Sequence, residues 1–155
     1  MDWKDYDSAT CSIARTLDVV GDRWTVLLLR DLANGVRRFD ELARHLGVAR
    51  DVLTRRLNAL VDSGVAEKVA YQEKGVRTRY EYRLTAAGED LRAVLIALMD
   101  WGDRHLAGPE GPPMVMRHEG CDATVHAELV CERGHGVGVG QTELVPQPGA
   151  RAATA

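Results

Sequence analysis

The chain has 155 residues, 45% of them hydrophobic and 28% charged, with a formal net charge of −3, a composition that fits one globular core plus a small appendage. No apolar run approaches the roughly 18–20 residues of a membrane span, and the acidic start "MDWKDYD" lacks the basic and apolar parts of a secretion signal, so a cytoplasmic setting away from membrane is expected. Cys11, Cys121 and Cys131 are an odd set, which argues against a disulfide framework. Charge is unevenly spread. Asp22 to Arg83 carries 13 Lys plus Arg against 9 Asp plus Glu, while the rest carries 7 against 14. The basic surplus in the middle of the chain is where a polyanion would bind.

In chain order, "SIARTLDVV" and "GDRWTVLLLRDLANG" read as two short buried helices, the second capped by Asp22 and ended by Asn34-Gly35. "RFDELARHLG" is a third helix, with acids in its first turn and Gly47 placed for the left-handed turn that stops it. A fourth begins in "ARDVLTRRLNAL" and runs to about Asp62, with Leu53, Leu57 and Leu60 inward. "VAEKVAYQ" and "TRYEYRL" then read as strands of a hairpin whose tip is "EKGVR". Thr85 caps a long helix over 86–106, apolar on more than one side, which implies packing against a second subunit.

"AGPEGPP", 107–113, reads as a linker. Segments within 114–145 ("MVMRH", "TVHAELV", "GVGVGQTELV") are expected to form a small β extension, and 146–155 a disordered tail. The domain division is therefore 1–106, a linker at 107–113, 114–145 and 146–155. The expected class is mainly α with a β-hairpin wing.

Helices three and four have the parts of a helix-turn-helix: Ala43 as the small crossing residue, Gly47 at the turn, and Leu42, Leu46, Val48 and Leu53 to fix the angle. The second helix of such a unit presents its N-terminal residues to base edges in the major groove. At about 100° per residue, Asp51, Arg55 and Asn58 point away from the leucines, Thr54 and Arg56 flank them, and Arg50 sits over the first turn. Arg55 suits a bidentate bond to guanine, Thr54 a phosphate or thymine methyl, and Arg56 a phosphate or an internal ion pair. Lys74, Arg77 and Arg79 supply cations near the hairpin tip for phosphates or a minor groove. The bland alternative for each segment is a solvated face.

The motifs "CSIARTLDVVGDRWTVLLLRDL", "RRFDELARHLG", "VLTRRLNALVDSGV", "RYEYRLTAAG" and "LMDWG" stand in the order seen in one group. Over about residues 10–105 the chain resembles the HxlR family of bacterial winged-helix transcription regulators, within the wider MarR-like group. The resemblance implies a homodimer built mainly by the N- and C-terminal helices, bound to pseudo-palindromic double-stranded DNA through two recognition helices and two wings, most simply as a repressor. The tip "EKGVRTRYEY" departs from the proline-containing form often found there. Some members sense oxidants through a cysteine just before the first helix, where Cys11 stands; exposed amides at a helix start stabilise a thiolate. The alternative is a small packing residue.

His118-x2-Cys121 and Cys131-x3-His135 have a spacing that offers four soft ligands to zinc, although Gly134 stands where a CxxC pair has its second cysteine. No other cofactor is implied. Trp24, Leu95, Met99 and Trp101 are candidates to line a pocket for a small lipophilic inducer between the long C-terminal helix and the DNA-binding lobe. An enzyme is disfavoured: no nucleophile–base pair or paired carboxylates appear, and "GHGVGVG" does not join a strand to a helix. The rivals kept open are a winged-helix protein-interaction module that binds no DNA and a zinc-stabilised regulatory module.

Overall fold

The computed structural model describes residues 3–72 and 78–153. Its helices are α1 (Ser12–Val20), α2 (Arg23–Ala33), α3 (Phe39–Leu46), α4 (Arg50–Asp62), α5 (Ala86–Asp90) and α6 (Arg92–His105), and its strands are β1 (Ala66–Tyr71) and β2 (Arg79–Leu84). The strands pair antiparallel, in register from Ala66 opposite Leu84 to Tyr71 opposite Arg79. Ahead of α3, Arg38 forms a bridge to Glu81, and Arg37 accepts a hydrogen bond from the Tyr82 amide at 2.9 Å, so the start of the helix-turn-helix is stitched to the hairpin. No helix among the described residues is long and apolar enough to cross a membrane.

The chain forms two compact units, Met1–Arg92 with Pro146–Ala155, and Ala93–Val145. In the first, the core is a leucine cluster: Leu28, Leu42, Leu53, Leu57 and Leu60 are 0–1% exposed, joined by Leu29, Leu32, Val20, Val65, Ala66 and Tyr82. These residues come from α1, α2, α3, α4 and the hairpin, and complete burial of each leucine stabilises by about 2 kcal/mol. Asp22 caps α2, its Oδ1 accepting from the amides of Trp24 and Thr25. Gly47 ends α3 at φ 62°, a left-handed conformation that glycine adopts at no steric cost, and its amide bonds the Ala43 carbonyl. Gly88 lies so close to the hairpin root that a Cβ there would sit 2.2 Å from the Val65 carbonyl oxygen.

Four expectations are corrected. Helix α1 is not buried: Val20 is its one buried residue, and Ile13 and Leu17 are 69% and 57% exposed. Thr85 does cap a helix, accepting from the Gly88 amide, but the helix breaks after Asp90, where the Leu91 amide turns to the Glu89 and Gly88 carbonyls, and restarts at Arg92. Of the segment 146–155, expected to be a disordered tail, the described part makes a bridge from Ala152 to Tyr6, with the Asp7 amide on the Arg151 carbonyl and the Ala153 amide on that of Asp5. The boundary between units falls at the start of α6 and not in 107–113. Its cause is visible inside the second unit, where Asp100 of α6 accepts from the Ala127 amide at 2.5 Å and so ties the helix to the chain beyond residue 113.

Within Ala93–Val145, β pairing among the described residues is limited to isolated bridges, Arg117 with Thr124, Val130 with Gly136, and Gly108 with Gly111. The turns that close two of these hairpins place Asp122 at φ 58° and Gly134 at φ 80°. With glycine at the alternate positions Gly134, Gly136, Gly138 and Gly140, the last segment lacks the side chains a strand packs with.

Candidate nucleic-acid interface

Helix α4 is held from beneath by Leu53, Leu57 and Leu60, and its opposite face, Asp51, Thr54, Arg55 and Asn58, is exposed. Among the described residues Arg55 has no ion-pair partner, so its guanidinium is available to an external acceptor. Val52, beside them, is half-buried. The Thr54 hydroxyl donates to the Arg50 carbonyl at 2.8 Å, so its proton is committed to the helix while its lone pairs can still accept.

The two flanking arginines behave differently. Arg50 lies over the Phe39 ring, 4.7 Å from its centroid, and bonds the Asp40 carboxylate at 2.7 Å; both side chains are largely exposed. An exposed pair of this kind is worth about 0–1 kcal/mol, so it orients the guanidinium without removing it from competition by a phosphate. Arg56 is instead structural: its Nη2 donates to Asp22 Oδ2 at 2.8 Å, and its Nε is buried. Of the two roles expected for Arg56, the internal ion pair is the one formed. Asp22 thereby serves two helices, capping α2 through one oxygen and holding α4 through the other.

Helix α3 is fixed to α2 by Asp31, which is 2% exposed and accepts from Arg30 at 2.7 and 2.9 Å and faces His45 Nδ1 at 2.7 Å. Between the start of α3, the first turn of α4 and the hairpin lies a concavity of about 600 Å³ lined by Arg38, Arg44, Arg50, Lys68 and Arg79, with Asp40 and Glu41 as its acids and Phe39, Tyr71, Tyr80 and Tyr82 between them. Arg38 stacks over Tyr71 at 4.8 Å, and Lys68 over Tyr80 at 4.4 Å. Five cations against two carboxylates give a basic hollow beside the exposed face of α4. Arg38, Arg44 and Lys68 were not singled out from sequence. Each looks like an isolated surface charge there, and pairing of Arg37 and Arg38 with Glu81 and Tyr82, more than 40 residues on, is what gathers them. Arg79 lies at the start of β2, as expected, whereas Lys74 and Arg77 lie outside the described residues.

The remaining expected residues are not at this surface. Cys11 is half-buried at the start of α1, its carbonyl accepting from the Arg15 amide. His118 Nδ1 and Cys121 Sγ meet at 3.3 Å, but among the described residues no three His, Cys, Asp or Glu side chains converge as a metal would require, so the four-ligand set with Cys131 and His135 is not assembled. Cys131 is exposed, and the amides of His135, Arg133 and their neighbours, directed at its sulfur, hold the thiol below its ordinary range. Met99 lines a cleft of about 360 Å³ in the second unit, whose walls do not include Leu95 or Trp101; Trp24 belongs to the first unit, beneath the Arg23 guanidinium.

Residues 19–109 match the sequence model of the HxlR-like helix-turn-helix family. The chain is 44% identical over 138 residues to the HTH-type transcriptional regulator Rv3095 of Mycobacterium tuberculosis, covering 89% of this chain and 85% of that one. It is 31% identical to the HTH-type transcriptional regulator YdeP of Bacillus subtilis, over 68% of this chain and 81% of that one. Among solved structures, PA1607, described as a candidate transcription factor, aligns with a TM-score of 0.78 at 31% identity over 90% of this chain and 96% of that one. The reduced form of the redox regulator HypR aligns at 0.53 and 28% identity, over 59% and 90%.

Proposed function

From the premise that this chain belongs to the HxlR-like helix-turn-helix family of transcriptional regulators, we propose that it is a homodimeric, sequence-specific repressor that binds a pseudo-palindromic duplex. Helix α4 enters the major groove, where Arg55 and Asn58 address base edges, with Asp51 and Thr54 beside them. Arg50 and the cations of the hollow, Arg38, Arg44, Lys68 and Arg79, meet the phosphates that run past the groove, joined by Lys74 and Arg77 of the wing. A second copy covers exposed apolar side chains, Ile13 and Leu17 of α1 and, separately, Val94, Leu98 and Trp101 of α6, each 48–69% exposed.

The observation that carries this proposal is the row Asp51, Arg55 and Asn58, exposed on a helix whose other face is fully buried. Selection of bound duplexes from a random pool tests it. The expected product is an inverted repeat with half-sites about one helical turn apart, roughly 10 base pairs; failure to enrich any sequence at low salt overturns it. Cys11 is proposed as an oxidant-sensitive group at the start of α1, supported by its place at the helix N-terminus and by the redox regulator among the structural relatives. Operator binding unchanged after alkylation of Cys11 removes that part alone.

A further inference from the structure

The second unit carries a feature that DNA recognition does not use. Its cleft has apolar walls from Met99, Pro112, Val115, Met116 and Val125, with Asp100, Asp103, Arg104 and His126 as its ionisable groups. About 360 Å³ lies within the range of small-molecule sites, and thioether walls adapt to irregular apolar shapes.

The charged groups divide by what they already hold. Asp100 is committed to the framework, with Oδ2 on the Ala127 amide and Oδ1 facing His126 Nδ1 at 3.3 Å. The Arg104 Nε donates to the Asp100 carbonyl at 3.1 Å. Asp103 is half-buried, and among the described residues it has no hydrogen-bond or ion-pair partner. A half-buried carboxylate beside an apolar wall gains most from a cation that displaces little water. The surroundings reinforce that sign: residues 93–145 hold three arginines, no lysine and eight carboxylates, a balance of −5, so the local field attracts cations and repels anions.

We propose that this cleft binds a small organic cation, an apolar body carrying one ammonium charge, with Asp103 as the counter-ion and Met99, Val115, Met116 and Val125 enclosing the apolar part. Since the inference rests on the second unit alone, its test reads no DNA and stands apart from the DNA-binding proposal.

Calorimetric titration of the full chain with benzyltrimethylammonium provides that test, with benzenesulfonate as the comparator of opposite charge. Saturable one-to-one binding of the cation is expected, with none of the sulfonate. Asp103→Asn should weaken the cation about two- to fivefold, as loss of a partly screened ion pair does, while Asp103→Glu retains most of the affinity. Val125→Trp, filling the cleft, should abolish binding. In the unaltered chain, raising the salt from low to high should weaken the cation severalfold, a measurement that depends on no variant's folding. Absence of saturable binding, equal binding of the sulfonate, or an affinity indifferent to salt overturns the proposal, as does an Asp103→Asn variant with the original melting temperature and undiminished affinity.

Discussion

The two units of this chain are built on opposite plans. Residues 12–92 bury five leucines to within 1% of complete exclusion and hold a net positive middle, whereas Ala93–Val145 leaves Met114, Leu129, Val130, Val139 and Leu144 at 51–82% exposure and is strongly acidic. In the first unit, position is set by hydrophobic packing that many residues share; in the second, it rests on a few polar contacts, Asp100 on Ala127 foremost. The difference teaches where tolerance and sensitivity lie. The rigid plan suits the proposed duplex-binding role of α4, which depends on one register, and the looser one suits the proposed small-molecule cleft.

The sharpest way to break the contrast is a pair of truncations. Leu57→Ala, at a site with no exposure, should destabilise the chain by about 2–5 kcal/mol, read as a lowered midpoint in urea, whereas Val139→Ala, at 82% exposure, should stay within about 0.5 kcal/mol. Next in size, Arg55→Ala should cost about 1–3 kcal/mol in operator binding and relax discrimination at one base pair. Its melting temperature should not move, since no described partner holds that side chain. Asp22→Ala should cost about 1–2 kcal/mol of stability and weaken DNA binding as well, because it frees both the start of α2 and Arg56 of α4.

A milder change comes from acid. The Asp100 carboxyl is held below its usual range, first by the Ala127 amide and then by His126. A carboxylate whose folded value is depressed lends stability at every pH above its unfolded value, about 3.9, and withdraws it as the pH falls through the lower folded value. Exchange protection of the Ala127 amide should therefore hold from neutral pH to about 5 and fade below the ordinary carboxylate range, while the leucine core of the first unit keeps its protection to lower pH. The smallest effect is expected of Asp40→Ala, whose exposed pair with Arg50 is worth under about 1 kcal/mol; stability should barely change.

How much was legible in sequence divides along the same line. The registers of α3 and α4 could be read because Leu42, Leu46, Leu53, Leu57 and Leu60 repeat at helical spacing and Gly47 sits between them, so local pattern and tertiary burial agree. The break at Leu91 left no trace, since neither proline nor glycine stands at the break and every residue from Glu89 to Ala97 suits a helix well enough. Exposure of Ile13 and Leu17 was equally invisible in the pattern of residues, since an apolar stripe looks the same whether the chain or another molecule covers it; the family resemblance alone pointed to a partner there. The basic hollow was missed because its cations come from three elements brought together by the pairing of Arg37 and Arg38 with Glu81 and Tyr82, and periodicity within one segment cannot report that. In the second unit, β-prone sequences such as "TVHAELV" make only isolated bridges, for want of neighbouring strands to complete a ladder.

The absent side chain at residue 88 sets a distance. With a hydrogen there, α5 rests against the carbonyl of Val65, at the foot of the hairpin. A methyl there would stand 2.2 Å from that carbonyl oxygen, a separation real side chains do not tolerate, so α5 and the hairpin's root would have to part. The spacing of α5 from the foot of the hairpin is thus set at residue 88, by the absence of a side chain.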